Sequence, residues 1–153
     1  IVHIEAKLFP KIALLEKHIQ KSDAPDLNIY IFAKNIDLDV AQSFKSKIEA
    51  NYPNILLNKK IIVRIMNFTQ HIKYKPAAII VLQHSKKELQ EIAMWANKNK
   101  IVTLAYDPID LNDGLLVSIH IGKTIQPYLN KQIIKEYGFI FNPYLMQLSK
   151  FKD

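Results

Sequence analysis

A chain of 153 residues, 49% hydrophobic and 23% charged, with 3 Gly and 7 Pro, has the material for one buried core and none of the bias of disordered, collagenous or low-complexity segments. It contains no cysteine, which excludes a disulfide framework, a thiol nucleophile, an iron-sulfur cluster and a thiolate zinc site. The formal net charge of +7 nominally favours nucleic acid, yet every basic residue except Arg64 is lysine and the chain is also rich in Ile and Asn, which share A/T-rich codons with Lys.

Ile4, Leu8, Ile12, Leu15 and Ile19 recur at helical spacing with lysines between them, so residues 3 to 21 read as one amphipathic helix, loosened by Pro10. Leu27 to Ala33, rich in β-branched and aromatic residues, reads as a buried strand after the Ser22 to Asp26 turn. Asp37 is placed to cap a helix reaching about Asn51, with Val40, Phe44 and Ile48 as its apolar stripe. Strands follow at Ile61 to Met66 and Ala77 to Leu82, separated by an irregular Asn67 to Pro76 segment. Ala77 to Leu82 is also the longest unbroken apolar run, far short of the roughly 20 residues that a membrane span needs.

Ser85 and Glu88 have the spacing of a capping box, opening a helix to about Asn99 that turns Leu89, Ile92, Ala93 and Ala96 inward. Ile101 to Ala105 is a fourth strand. Leu115 to Ile121 and Thr124 to Leu129, joined at Gly122-Lys123, read as an antiparallel hairpin. Two helices end the chain, Lys131 to Tyr137 stopped by Gly138, and Pro143 to Phe151. The order predicts one α/β domain over residues 1 to 153, a three-layer sandwich whose mostly parallel sheet carries an antiparallel edge hairpin, in the Rossmann/flavodoxin-like class.

Ligands of such sheets bind beyond the carboxyl ends of the strands. Those ends place Lys34, Gln83, His84, Tyr106 and Asp107 as the candidate ligand-binding residues. A phosphoacceptor receiver needs carboxylates after its first and third strands, where this chain has Lys34 and the Gln83-His84 pair. A dinucleotide site needs a glycine-rich turn after the first strand, and there is no glycine there. No P-loop lysine, nucleophile-elbow serine or HExxH pair occurs, so no catalytic residue, metal or cofactor is assigned, and a small hydrolase built on His84 and Asp107 lacks a nucleophile.

Each remaining candidate has a plainer reading. His84 stands beside the Ser85 cap, and Asp107, Asp110 and Asp113 have the spacing of turn and cap formers as well as of a cation cluster. Trp95, Tyr106, Phe139 and Phe141 could stack on an aromatic ligand or simply pack the core. His120 falls in the hairpin, as a surface or half-buried position.

The last third carries a resemblance. Ile101 to Asp107, Asp113-Gly114, Val117 to Ile121, Asn130 with Gly138 eight residues on, and the closing Pro143 to Ser149 together resemble the YfiR/HmsC-like periplasmic family. The family's usual double glycine is the single Gly114 here, and the cysteines of several members are absent. The resemblance implies a non-enzymatic extracytoplasmic α/β protein that senses a condition and represses a membrane signalling enzyme, such as a diguanylate cyclase of cyclic-di-GMP signalling, through its periplasmic domain. A cleaved signal peptide, a small-molecule ligand and a homodimer paired through an edge strand fit that expectation, and nucleic acid is not expected as a partner. The alternatives are the extracytoplasmic input domain of a membrane histidine kinase or diguanylate cyclase and, further off, a basic nucleic-acid-binding protein.

Overall fold

The computed structural model describes residues 1–68 and 72–153. In chain order the elements are α1 (Val2–Leu14), α2 (Lys17–Lys21), β1 (Asp26–Phe32), α3 (Leu38–Asn51), β2 (Lys60–Met66), β3 (Ala78–Val81), α4 (Lys86–Lys98), β4 (Val102–Ala105), β5 (Val117–Ile121), β6 (Ile125–Leu129), α5 (Lys131–Tyr137), α6 (Pro143–Leu148) and β7 (Lys150–Phe151). They build one seven-stranded sheet in the order β2-β1-β3-β4-β5-β6-β7. Every neighbouring pair is parallel except β5 and β6, where Val117 faces Leu129 and Ile121 faces Ile125. This is the expected α/β sandwich of Rossmann/flavodoxin-like type.

Connectivity places a topological switch between β1 and β3. From β1 the chain crosses through α3 to β2 on one flank, whereas from β3 it crosses through α4 to β4 on the other. Right-handed crossovers that diverge in this way put their helices on opposite faces and open a gap above the carboxyl ends of β1 and β3.

The strand sequences obey that two-sided burial. Ile29, Ile31, Ile80, Val102 and Leu104 pack in one core cluster with Phe9, Phe44 and Ile48, while Tyr30, Phe32, Ile79, Val81 and Ala105 pack in a second with Leu89, Ile92 and Ala96. Successive residues of a strand point to opposite faces, so a strand covered on both sides needs an unbroken apolar run rather than an alternating one. On the first face the Phe9 and Phe44 rings stack at 6.4 Å, and Phe44 meets the Tyr106 ring edge-on at 5.8 Å.

Two expectations fail for stated reasons. The single helix over residues 3 to 21 breaks at Leu15 and Glu16, not at Pro10, which lies inside α1. The buried Glu16 carboxylate accepts from the amides of His18 and Ile19 and so starts a new helix, while Glu16 itself bridges Phe141 in antiparallel fashion. The final helix stops at Leu148 rather than Phe151, because Lys150 and Phe151 pair with Tyr128 and Leu129 as β7. The antiparallel hairpin therefore has a further two-residue strand outside it.

The expected capping box at Ser85 is complete, with the Glu88 amide donating to Ser85 Oγ at 3.2 Å and the Ser85 amide to Glu88 Oε1 at 3.0 Å. Gly138 ends α5 at φ +73°, a left-handed conformation that glycine reaches without strain. Part of the irregular Asn67 to Pro76 segment, residues 69–71, lies outside the described residues. Among the described residues no helix is long and apolar enough to cross a membrane.

Candidate functional site

One strand over from the switch point, above the carboxyl ends of β3 and β4, lies a crevice of about 320 Å³ lined by Leu82, Gln83, His84, Tyr106, Asp107 and Asp110. Four of the five sequence-assigned residues, Gln83, His84, Tyr106 and Asp107, thus meet in one place. They do so because β3 and β4 are in-register neighbours, Val81 beside Ala105, so the residues that follow each strand emerge side by side. Leu82 and Tyr106 belong to the core face shared by α1 and α3.

Lys34 does not line it. Its ammonium reaches from the end of β1 to the start of α4 and pairs with Glu88 Oε1 at 2.6 Å. That contact, with the Ser85 amide, holds the Glu88 carboxyl down near about 2. The sequence placed Lys34 at the correct end of the sheet, but the α4 capping box presents a carboxylate that captures it.

The lining polar groups are partly committed. His84 Nδ1 lies 3.0 Å from the Leu82 carbonyl, so it carries a proton toward that oxygen and leaves Nε2 as the ring's other polar atom. Asp107 caps a 3-10 turn at Pro108–Asp113, its Oδ1 accepting from the Ile109 amide at 3.1 Å. The cap reading of Asp107 and its place in the crevice therefore hold together. The same turn carries Asp110 into the lining, where burial first, and then Asp107 and Asp113, push its carboxyl up to about 6.

One further carboxyl was not singled out in the sequence. Glu5 on α1 is 1% exposed, and its Oε1 has no hydrogen-bond partner among the described residues. It shares the inward face of α1 with Ala6 and Phe9, which pack in the core cluster of Phe44 and Ile48. Burial pushes it up to about 9, the amino terminus opposing and Asp107 adding to the rise. An acidic residue one turn before Phe9 inside an apolar stripe was the available signal, and placing that stripe on Ile4 and Leu8 obscured it, since the fully buried positions are Ala6, Phe9 and Ala13.

The other candidates resolve as structure. Trp95 packs with Phe32 and Phe68 on the α4 face, at 6.1 and 6.2 Å between ring centroids. Phe139 and Phe141 are core residues, and His120 is half-buried on β5. Among the described residues no group of three or more His, Asp or Glu side chains could hold a metal ion, so Asp107, Asp110 and Asp113 do not form one. A second depression, of about 230 Å³, lies at the opposite, amino end of β1, lined among others by His18, Asp26, Lys59 and Lys75. Its buried Lys59 ammonium is occupied by the carbonyls of Ser22 and Ala24 at 2.9 and 2.7 Å and serves as a fastener for that loop.

No family model matches the chain, and no curated protein matches it. Among solved structures it is similar to one described as an ABC domain in complex with L-Trp from Streptococcus pneumonia, with a TM-score of 0.58 and 12% sequence identity. The likeness covers 98% of this chain and 59% of that one, so the chain spans well under two thirds of the length of that protein. At this identity the likeness is one of fold.

Proposed function

We propose that the chain is a non-catalytic ligand-binding domain of extracytoplasmic signalling, which holds a small molecule in the crevice above β3 and β4 and reports its presence to a membrane-bound partner. The observation that carries this reading is the convergence of Gln83, His84, Tyr106, Asp107 and Asp110 from two adjacent strand ends on the carboxyl side of the sheet. Ligands of open α/β sheets bind at that end, and a concave site with a few converging polar groups around an aromatic ring is what orients a small molecule. Among the described residues that line the crevice there is no Ser, Thr or Lys nucleophile beside a base, which favours binding over turnover. The described partner of the similar structure, L-Trp, makes free amino acids a sensible first set of probes.

The link to a partner follows from position. The turns after β1 and β4 leave Ile36 and Ile109 exposed at the same end as the crevice. A protein seated on those turns meets a surface that an occupied crevice stiffens, and coupling of the two binding events is then reciprocal. A free-standing repressor and the input half of a receptor are both served by this arrangement.

The test is thermal unfolding of the whole chain with each common amino acid and with a panel of small acids, amines and sugars. At a hundredfold excess over Kd, a ligand adds about 2.7 kcal/mol, about 5 to 10 °C for a domain of this size. Saturable protection that is lost in His84→Ala and Asp107→Ala supports the reading. Equal protection of both variants puts the site elsewhere, and no protection by any probe overturns ligand binding itself.

A further inference from the structure

At the end of the sheet opposite the crevice, four adjacent parallel strands begin side by side in the order β2-β1-β3-β4, and three of them are entered past a lysine. Lys59 directly precedes β2, Lys75 stands in the segment leading into β3, and Lys100 lies between α4 and β4. All three line the depression of about 230 Å³, together with His18 from α2 and Asp26 at the start of β1. Parallel register gathers these strand entries in one place, as it gathers the strand ends at the crevice.

The charge in this depression is not cancelled. None of the three lysines has an ion-pair partner among the described residues, and the lining holds only the one carboxylate of Asp26. Lys59 is the decisive group, because it is 5% exposed and a buried charge is ordinarily paired. The neutral carbonyls of Ser22 and Ala24, at 2.9 and 2.7 Å, accept from its ammonium and fix it in place without neutralising it. Lys100 supplies an independent sign. Its backbone sits at φ +56°, directly after the Asn99 cap of α4, where glycine is the residue of least cost. The chain instead keeps a long cationic side chain there, with its ammonium 5.7 Å from the centre of the Phe139 ring.

We infer that this depression is a second binding site, for a doubly charged oxyanion of the phosphate class held by Lys59, Lys75 and Lys100. Three ammonium groups set against the Asp26 carboxylate leave a positive excess that a dianion cancels and a monoanion does not. Lysine suits such a ligand because its ammonium meets phosphate oxygens as a point charge, whereas a planar guanidinium has to be aligned with them. A volume of about 230 Å³ admits inorganic phosphate, sulfate or a small phosphate monoester. A nitrogen cation in the same place would meet like charges. The site shares no lining residue with the crevice, so the two readings stand or fall separately.

The test is calorimetric titration of the whole chain with inorganic phosphate, sulfate, glycerol 3-phosphate and acetate, at constant ionic strength and about pH 8, where a phosphate is mainly the dianion. The inference expects saturable binding of at least one of the three dianions, about tenfold or more tighter than acetate, and a loss of about tenfold or more in the double variant Lys75→Ala with Lys100→Gly. Both positions are exposed, and glycine suits the backbone at residue 100, so this variant keeps the fold and leaves the Lys59 fastening in place, which circular dichroism verifies. The double variant Lys87→Ala with Lys123→Ala removes the same charge from exposed positions outside the lining and should bind as wild type does. Tighter binding of glycerol 3-phosphate than of phosphate supports the site as one for a monoester, and the reverse supports it as one for the free ion. An equal loss in the two double variants overturns the site, since the attraction then belongs to the charge of the chain as a whole. Loss of binding in His84→Ala puts the anion in the crevice and overturns it as well. Acetate binding as tightly as the dianions, or no saturable binding of any dianion, does the same.

Discussion

Glu5 gives the account its sharpest quantitative consequence. Its carboxyl is raised from 4.5 to about 9, chiefly by burial. Between those values the folded chain keeps a proton that the unfolded chain has released, so stability falls as pH rises through that window and the loss is absent below it. Each pH unit inside the window costs about 1.4 kcal/mol, so wild type should lose about 3 kcal/mol from this group between pH 6 and pH 8. Asp110, raised to about 6, acts in the same direction but is spent by the start of that interval. Glu5→Gln keeps shape and polarity and removes the titration. Urea unfolding at pH 6, 7 and 8 should therefore show the variant gaining on wild type by about 3 kcal/mol over the interval, with the two converging toward pH 4.5. A difference between variant and wild type that is constant with pH would refute the reasoning, since it would mean that Glu5 is ionised or solvated in the fold.

Other substitutions test the frame that positions the site. Glu16→Ala removes the carboxylate that accepts from the amides of His18, Ile19 and Ile140 at 2.8, 3.3 and 3.0 Å and from His18 Nδ1 at 2.8 Å. Chemical denaturation should register about 3 to 5 kcal/mol of lost stability, and Glu16→Gln a smaller loss because an acceptor remains. Asn130→Ala strips the start of α5 of a side chain that accepts from the Ile133 amide and donates to the Leu111 and Leu115 carbonyls, at 3.2, 3.0 and 3.1 Å. A loss of about 2 to 4 kcal/mol is expected, and one below about 0.5 kcal/mol would show that the hub is dispensable. Gly138→Ala forces a side chain into φ +73°, with the new Cβ 3.2 Å from a mobile Lys100 ammonium. Backbone strain sets the cost at about 1 kcal/mol, read as a fall of about 2 to 4 °C in Tm.

What the sequence disclosed and what it hid divide along physical lines. The strands were legible because two-sided burial writes itself as unbroken runs such as Ala77 to Leu82, and α4 because a capping box is a local signal at fixed spacing. The same locality placed Gln83, His84, Tyr106 and Asp107 at strand ends, and parallel register then brought them together without further information. Lys34 lies outside the crevice because its partner Glu88 is distant in sequence, and the ion pair depends on β1 and β3 lying side by side as parallel neighbours. The break at Glu16 and the strand at Lys150-Phe151 are likewise set by tertiary partners, Phe141 with Ile140 in one case and β6 in the other. Glu5 was hidden by a small rotation of the helix face: a stripe centred on Ile4 and Leu8 leaves it at the margin, whereas one centred on Ala6, Phe9 and Ala13 buries it.

The claim that most needs a direct answer is that the crevice above β3 and β4 is where this chain meets its ligand. Amide chemical-shift mapping of the labelled whole chain, titrated with L-tryptophan and separately with the other common amino acids, answers it residue by residue. The account predicts saturable shifts concentrated at residues 82–84 and 106–110 for at least one of them. Shifts gathered instead around Ser22 to Asn28 and Lys75 to Ala77, at the opposite end of the sheet, or the absence of any saturable shift, would contradict it.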